Sequence, residues 1–368
     1  MSKGALPDGA IREMMESGFI KGADAQNVNP GSLDLSLSDE CYRTNGLYLP
    51  RRGERVRDML NEYGARRHDL STPFECQVTY MIRLRESLVL PKTVYGYCTP
   101  KSSTGRTDVH VRSVGDGVER FDTIAPAGFA GDLWLAVCSK SFPVLLKEGE
   151  KMLQARFFTA DTRFDETELE TAMARHPLIF NPYQSQPISY GEITASDRDG
   201  SILLSIDLAG SGIVGYEARR TSKILDFAAR DINPDEFFQR VTLSASGRLH
   251  LRRDNFYILS TFESVCVPPW LACELVPMDH RTGDLRSHYA GFIDPGWGCG
   301  QDGEGLGRQL TLELRPFEDI VLRPGQTVAK ATFEKMVRPP DRHYDMLDTS
   351  HYRLQAGPGL AKQFAKLR

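Results

Sequence analysis

The 368-residue chain has no C-x-x-C pair, no surplus of basic residues and no apolar run near the roughly 20 residues that span a bilayer. Its opening stretch, "MSKGALPDGAIREMM", lacks the apolar core of a secretory signal, so export is not expected. The seven cysteines stand singly at 41, 76, 98, 138, 266, 273 and 299. An odd, dispersed set predicts reduced, mostly buried thiols in the cytoplasm. A net charge of −4 argues against a nucleic-acid binder. It leaves room for a nucleotide, which needs only a local cationic pocket. The eight histidines show no metal-ligand spacing, and no H-x-E precedes a P-C-x-x-C, so the zinc deaminase signature is missing. A Walker loop, a G-x-S-x-G elbow and a G-x-G-x-x-G after a strand are missing too. With 40% hydrophobic and 26% charged residues, the composition is that of a globular protein long enough for two domains.

What is present is a diverged tandem repeat. "GSLDLSL" (31–37) is echoed by "GSILLSIDL" (200–208), and "IRLRESLVLP" (82–91) by "LHLRRDNFYIL" (249–259). "LWLAV…FPVLLKEGEKMLQARFF" (133–158) is echoed by "LTLEL…FEDIVLRPGQTVAKATFE" (310–334), with Gly149 matching Gly325 and Phe157 matching Phe333. Three echoes in one order, at an offset growing from about 169 to about 177 residues, indicate two copies with different loop insertions. Each copy reads as short alternating strands rich in Val, Ile, Leu, Tyr and Phe, broken by Gly and Pro. Helices are expected over 8–20, behind Asp8 as cap, and over 164–176. The expected organisation is a first β domain (1–165), a connector (166–199), a second β domain (200–340) and a polar tail (341–368) outside both repeats.

Four stretches carry candidate chemistry. "PKSSTGR" (100–106) crowds hydroxyls, Lys101 and Arg106 around Gly105, a set of donors suited to phosphate oxygens. Composition alone would equally allow a polar turn after a strand. "AGFIDPGWG" (290–298) places Asp294 before a tight turn and Trp297, which could also be an ordinary turn with a packed ring. "LTLEL" (310–314) alternates Leu310, Leu312 and Leu314 with Thr311 and Glu313, and "HYRLQAGPG" (351–359) lies in the tail. The Gly-rich "GCGQDGEGLGRQ" (298–309) falls where the first copy has almost nothing, and reads as an inserted hairpin loop.

Taken in order, "VNPGSLDLSL", "PKSSTGR", "AGFIDPGW", "LTLEL…LRPGQTVAKATFE" and "HYRLQAGPG" resemble the 2′-deoxycytidine 5′-triphosphate (dCTP) deaminases, relatives of the trimeric dUTPases. The resemblance covers almost the whole chain, with the family's single unit present twice. It implies a mainly β fold of two dUTPase-like distorted barrels and hydrolytic deamination of dCTP to dUTP and ammonia without zinc. It also implies Mg²⁺ carried with the substrate triphosphate, restraint by dTTP and a homo-oligomer with interfacial sites; the charge and the lack of a spanning run add that no nucleic-acid or membrane partner is expected. Position by position, Lys101, Ser102, Ser103, Thr104, Gly105 and Arg106 fall on the family's phosphate- and water-contacting loop, Ser102 and Arg106 on its catalytically important serine and arginine. Asp294 falls on the deoxyribose-contacting aspartate, with Trp297 in the same turn, and Glu313 on the catalytic glutamate, with Thr311 and Leu312 beside it. Tyr344, His351 and Gln355 fall on positions that close over the nucleotide. His351 stands where a lysine is usual, making a permanent charge pH-dependent, and Lys101 where arginine is frequent.

The copies have lost complementary parts. The first keeps "SSTGR" but has Ala136 in place of the glutamate and Ala125 in place of the aspartate; the second keeps Asp294 and Glu313 but has "PMDHRTG" for the loop. One complete set therefore needs both halves, which points to a composite site. Attack of water on C4 of cytosine needs a base that can afterwards deliver protons to N3 and the leaving amine. Glu313 suits that part, with Ser102 orienting the water or the 4-amino group and Arg106 holding the carboxylate and the developing charge. Competing readings are a dUTPase, a bifunctional enzyme releasing dUMP and pyrophosphate, and a non-catalytic nucleotide-binding β protein.

Overall fold

The computed structural model describes residues 3–193, 197–209, 212–244, 246–279, 285–287, 291–347 and 357–365. The chain is mainly β, as the alternating patterns predict. In the first half the strands lie in the order Val109–Gly115, Ala130–Ser139, Thr79–Val89, Ser32–Thr44, Lys151–Phe158, Tyr95–Pro100 and Thr123–Ile124. The outermost strands of that order approach each other, so the sheet curls into a nearly closed barrel and its edges are sheltered. The second half splits the same plan into two sheets. One pairs Ile179–Asn181, Tyr257–Val265, Ile213–Ala218 and Arg308–Pro316; the other runs Ser201–Ser205, Thr327–Lys335, Leu271–Val276 and Phe292–Ile293.

Backbone register confirms the repeat more sharply than composition can. Ile82 opposes Leu135 and Met81 opposes Ala136, just as Leu259 opposes Leu312 and Ile258 opposes Glu313. Positions 82 and 259 are 177 apart, as are 135 and 312, and both ladders slip at the same place, Arg83/Ser87 and Ser260/Ser264. This register corrects one expected echo. "IRLRESLVLP" corresponds to "LSTFESVCVP" (259–268) and not to 249–259. Apolar alternation fits both stretches; the shared Glu-Ser dipeptide is what separates them. That glutamate is structural. Glu86 is fully buried and accepts the Ser36 N–H with both oxygens, at 3.1 and 2.9 Å. Its counterpart Glu263 accepts the Ser205 N–H at 2.8 Å and the Ser205 hydroxyl at 2.6 Å. Each carboxylate satisfies a backbone donor beside a slipped ladder, where the regular strand partner is missing.

Helices form near the expected places. Asp8–Glu16 starts one residue after Pro7, which takes the cap position expected for Asp8. Glu166–Arg175 begins with a capping box in which Asp165 and Glu168 bond each other's backbone N–H. Val56–Glu62, a further helix, is not evident from periodicity. Within 166–199, Phe180 pairs with Ser264 and Ile179 with Val265, so this stretch adds a strand to the second-half sheet.

Two apolar cores result, and the halves are not independent. The first core takes in Phe227, Phe237, Phe238 and Phe256 from the second half and Phe364 from the tail. The Phe142 ring lies 5.0 Å from Phe237, and Phe364 lies 5.3 Å from Phe238. Each such ring removed from water contributes about 1.5–3 kcal/mol, enough to fasten the halves and the tail's end together. The tail, expected to lie outside both repeats, is therefore part of the first core at its far end. A second correction concerns the thiols: Cys266 and Cys299 are joined as a disulfide, with Cα atoms 5.4 Å apart, while the other five cysteines are free. Their separation of 33 residues hides the contact, which arises because the inserted loop folds back on the end of a strand. No helix among the described residues is long and apolar enough to cross a membrane.

Burial pushes the Glu86 carboxyl up from the ordinary 4.5 to about 7, against the lowering pull of the Ser36 N–H. Between those values the unfolded chain loses the proton while the folded chain keeps it, so folding stability falls as pH rises from about 4.5 to 7 and then levels off. At about 1.4 kcal/mol per pH unit the span is about 3 kcal/mol. Glu86→Gln, which keeps the acceptor but not the charge, is expected to gain stability relative to the unmodified chain as pH goes from 5 to 8, read from urea midpoints. Parallel pH curves for the two proteins would contradict this.

Candidate active site

The "PKSSTGR" segment follows the strand Tyr95–Pro100 and closes into a single helical turn, Ser102–Gly105. The N–H groups of Thr104 and Gly105 bond Lys101 O at 2.8 and 3.0 Å, and Arg106 N–H bonds Ser102 O at 3.1 Å. The polar turn is thereby rigid and its side chains are aimed, not waving. The strand Arg308–Pro316 of the second half runs against it. Their meeting point is Gly105 and Glu313: a Cβ on Gly105 would lie 2.9 Å from Glu313 Cδ and 3.0 Å from each carboxylate oxygen. Only glycine allows this approach. The complementary residues of the two halves thus come together within one chain.

Alternation on the strand sorts the predicted residues. Thr311 and Glu313 share the face turned to the loop, and Glu313 is 1% exposed. Leu312 points the other way and is wholly buried in the second core, so its side chain does not reach the pocket. Thr104 is likewise fully buried behind the loop. A pocket of about 350 Å³ opens between the halves, and its walls include Lys101, Ser102, Ser103, Arg106, Asp294, Trp297, Thr311 and Tyr344. Gly105 and Glu313 lie directly behind that wall. His351 and Gln355 lie outside the described residues.

Asp294 follows the short strand Phe292–Ile293 and accepts the Gly31 N–H at 3.3 Å, a bond between halves. Burial pushes its carboxyl up to about 6, opposed by the Gly31 N–H and the Lys101 and Arg156 charges, with Asp34 adding to the rise. Below that wall Arg156, 1% exposed, reaches from the first half to Glu274 at 3.3 Å and to Glu334, and stacks 4.0 Å from the Phe292 ring. A buried cation paired across the junction fixes the strand that carries Asp294.

The lid side is built on the Asp294–Trp297 turn. Tyr344 N–H bonds Pro295 O at 2.8 Å and its ring lies 5.0 Å from Trp297. Asp345, 1% exposed, binds Arg308 at 2.7 Å and accepts the Gly300 N–H at 2.8 Å. Further on, Gly357 N–H bonds the Gln309 side chain at 3.2 Å, Gly359 N–H bonds Thr311 Oγ1 at 3.3 Å, and Arg106 Nη1 donates to Gly359 O at 3.1 Å. Arg106 therefore ties the tail to the loop. The inserted 298–309 stretch closes on itself as expected, with Gly305 N–H to Cys299 O at 2.7 Å and Gly307 N–H to Gly298 O at 3.0 Å.

Sequence reasoning missed Gln26, Asn29, Asp34, Lys151, Gln154 and Lys362, all on the pocket wall. Asp34 had a signal: it interrupts "GSLDLSL" where the second copy has Leu203, and it forms a salt bridge with Lys101. Lys362 had none, because it arrives from the tail through folding. The matching place in the first half keeps a cleft of about 570 Å³, with Ala125 and Trp134 on its wall at the positions of Asp294 and Thr311. Trp134 and Ala136, at the positions of Thr311 and Glu313, pack with Val56, Leu60, Met81 and Val114 under the helix Val56–Glu62. A larger cleft of about 1030 Å³, bordered by Cys76, Lys140, Arg220 and Arg315, opens elsewhere along the junction and has neither Asp294 nor the "SSTGR" loop on its walls.

Two family models account for most of the chain: the N-terminal domain of 2′-deoxycytidine 5′-triphosphate deaminase over residues 2–161 and its C-terminal domain over 165–364. The chain belongs to the dCTP deaminase family. The crystal structure of 2′-deoxycytidine 5′-triphosphate deaminase from Agrobacterium tumefaciens is 34% identical, with a TM-score of 0.83 over 92% of this chain and 97% of that one. A dUMP-forming dCTP deaminase from Beutenbergia cavernae is 29% identical over 141 residues. That match takes 37% of this chain and 63% of the Beutenbergia enzyme, less than two thirds of its length.

Adding one methyl group tests the Gly105–Glu313 contact. Gly105→Ala would displace only the end of a flexible side chain, so thermal stability should hardly change. The carboxylate would move, and turnover of dCTP should fall about 100-fold, the penalty typical of a misplaced reacting group. Full activity in a Gly105→Ala chain would mean that the contact is incidental.

Proposed function

We propose that this chain converts dCTP and water to dUTP and ammonia at the composite site between its halves. The observation that carries the reading is Glu313, on the second-half strand, packed against Gly105 of the first-half "SSTGR" turn beside the Asp294 pocket. Glu313 takes a proton from water as the oxygen attacks C4. It passes that proton to N3, then takes the proton of the new C4 hydroxyl and delivers it to the departing amine as the C4 carbonyl forms, so the base is regenerated each cycle. Ser102, at the pocket wall, orients the water or the 4-amino group. Arg106 is 4% exposed and fixed by Gly359 O, so it can hold charge in place without reorganising when the oxyanion develops. Asp294 receives the deoxyribose.

The substrate enters as its Mg²⁺ complex, the metal travelling on the phosphates, with Lys101, Arg106, Lys151 and Lys362 supplying cations on the pocket wall. The same sugar and phosphate contacts would admit dTTP, which has no 4-amino group to lose and would act as an inhibitor. The five free cysteines support action in the cytoplasm, and the Cys266–Cys299 disulfide weighs against it. The first-half counterpart has Ala125 and Ala136 in place of Asp294 and Glu313, and the missing carboxylates support one catalytic site per chain.

Glu313→Gln keeps the shape of the side chain and removes the proton acceptor. Ammonia release from dCTP should fall by at least about 100- to 10,000-fold while dCTP binding persists. Separating dUTP, dUMP and pyrophosphate in the same incubation also decides whether the chain goes on to dUMP, as the Beutenbergia enzyme's name records for that protein. A purified chain that binds dCTP but releases no ammonia would overturn the proposal.

A further inference from the structure

The strand that carries Glu313 has a second cross-half contact two residues further on. Arg315 Nη2 donates to Asp108 Oδ2, and the two side chains are 13% and 0% exposed. Asp108 stands two residues after Arg106, in the left-handed backbone region at φ 56°, and its N–H bonds Gly105 O at 3.1 Å. The Ser141 hydroxyl donates to the same carboxylate at 2.5 Å, and Lys140 N–H bonds Asp108 O at 3.0 Å. Arg315 Nη1 holds Asp254 O on the opposite side. Asp108 is thus locked to the turn, and Arg315 to the second-half sheet.

We propose that the Asp108–Arg315 pair is a positioning clamp that sets the distance between the "SSTGR" turn and the catalytic strand. Residues 313 and 315 point to the same face of the strand, about 7 Å apart, so the clamp and the reacting carboxylate share one rigid segment. On the loop side, one hydrogen bond separates Asp108 from Gly105, the residue in contact with Glu313. Any slip between the halves would stretch the ion pair before it displaced Glu313 from the turn. A buried pair of this kind adds little stability over an apolar replacement, whereas removing one partner leaves a charge without compensation. Its distinctive contribution is geometry. The first-half counterpart of Arg315 is Cys138, at the same 177-residue offset, so the clamp is present only where Glu313 is.

The inference rests on the deaminase reading, and its test separates the two. Full-length Asp108→Asn, Arg315→Met, Arg315→Lys and the Asp108→Asn/Arg315→Met double variant are assayed for dCTP turnover, and their binding sites are counted by titration with the product dUTP. A clamp predicts kcat per binding site reduced about 10- to 100-fold in Asp108→Asn and Arg315→Met, with KM nearly unchanged. Arg315→Lys should recover much of the loss, and the double variant should be no worse than the poorer single one. If the losses in kcat merely track losses in dUTP-binding sites, or the single effects multiply in the double variant, the pair is only structural and the clamp is wrong. An unmodified chain that releases no ammonia would instead overturn the deaminase reading.

Discussion

One face of one strand organises this molecule. Gln309, Thr311, Glu313 and Arg315 alternate toward the junction, and each meets a different piece of distant chain: Gly357, Gly359, Gly105 and Asp108. The tail, the "SSTGR" turn and the end of that turn are all gauged against a single rigid ladder. Because period-two alternation fixes which residues share a face, the spacing of these four contacts is set by backbone geometry, not by side-chain flexibility. The opposite face, Leu310, Leu312 and Leu314, is buried in the second core and keeps the strand from rotating. The apolar side anchors, and the polar side faces the junction.

The duplication explains why such a division is possible. Two copies of one barrel plan began with two equivalent faces of this kind. In the first copy the corresponding face carries Asp132, Trp134, Ala136 and Cys138, and Trp134 and Ala136 are sealed beneath the helix Val56–Glu62. That face has no carboxylate at the position of Glu313, so the first half holds no complete set of its own. The surviving site then needed its other components from the partner copy, and buried charges across the junction hold the copies in register. Arg156 with Glu274 and Glu334 does so beneath Asp294; Arg315 with Asp108 does so beside Glu313.

Much of this was legible in the sequence. Strand alternation and the repeat are local patterns, and they led to a mainly β fold, while Gly105, Arg106, Asp294 and Glu313 were singled out through the family resemblance of "PKSSTGR", "AGFIDPGW" and "LTLEL". What stayed hidden depends on contacts between distant segments. Asp345, Lys362 and the Cys266–Cys299 pair have ordinary sequence neighbours, and their roles arise only when the tail and the inserted loop fold back. Alternation also failed once where it was too generic: "LHLRRDNFYIL" matches "IRLRESLVLP" in polarity, but the ladder aligns the latter with "LSTFESVCVP". Glu86 and Asp34, which interrupt the apolar pattern, carried signals that alternation alone does not read.

The central claim is that one chain supplies both parts of the site. It is tested by unfolding Glu313→Gln and Arg106→Ala chains together, refolding the equal mixture, and measuring ammonia release from dCTP. With the site inside each chain, every molecule carries one defect and the mixture stays as inactive as its components. Recovery of a substantial fraction of normal turnover would show that Arg106 and Glu313 come from different chains, and would contradict the account.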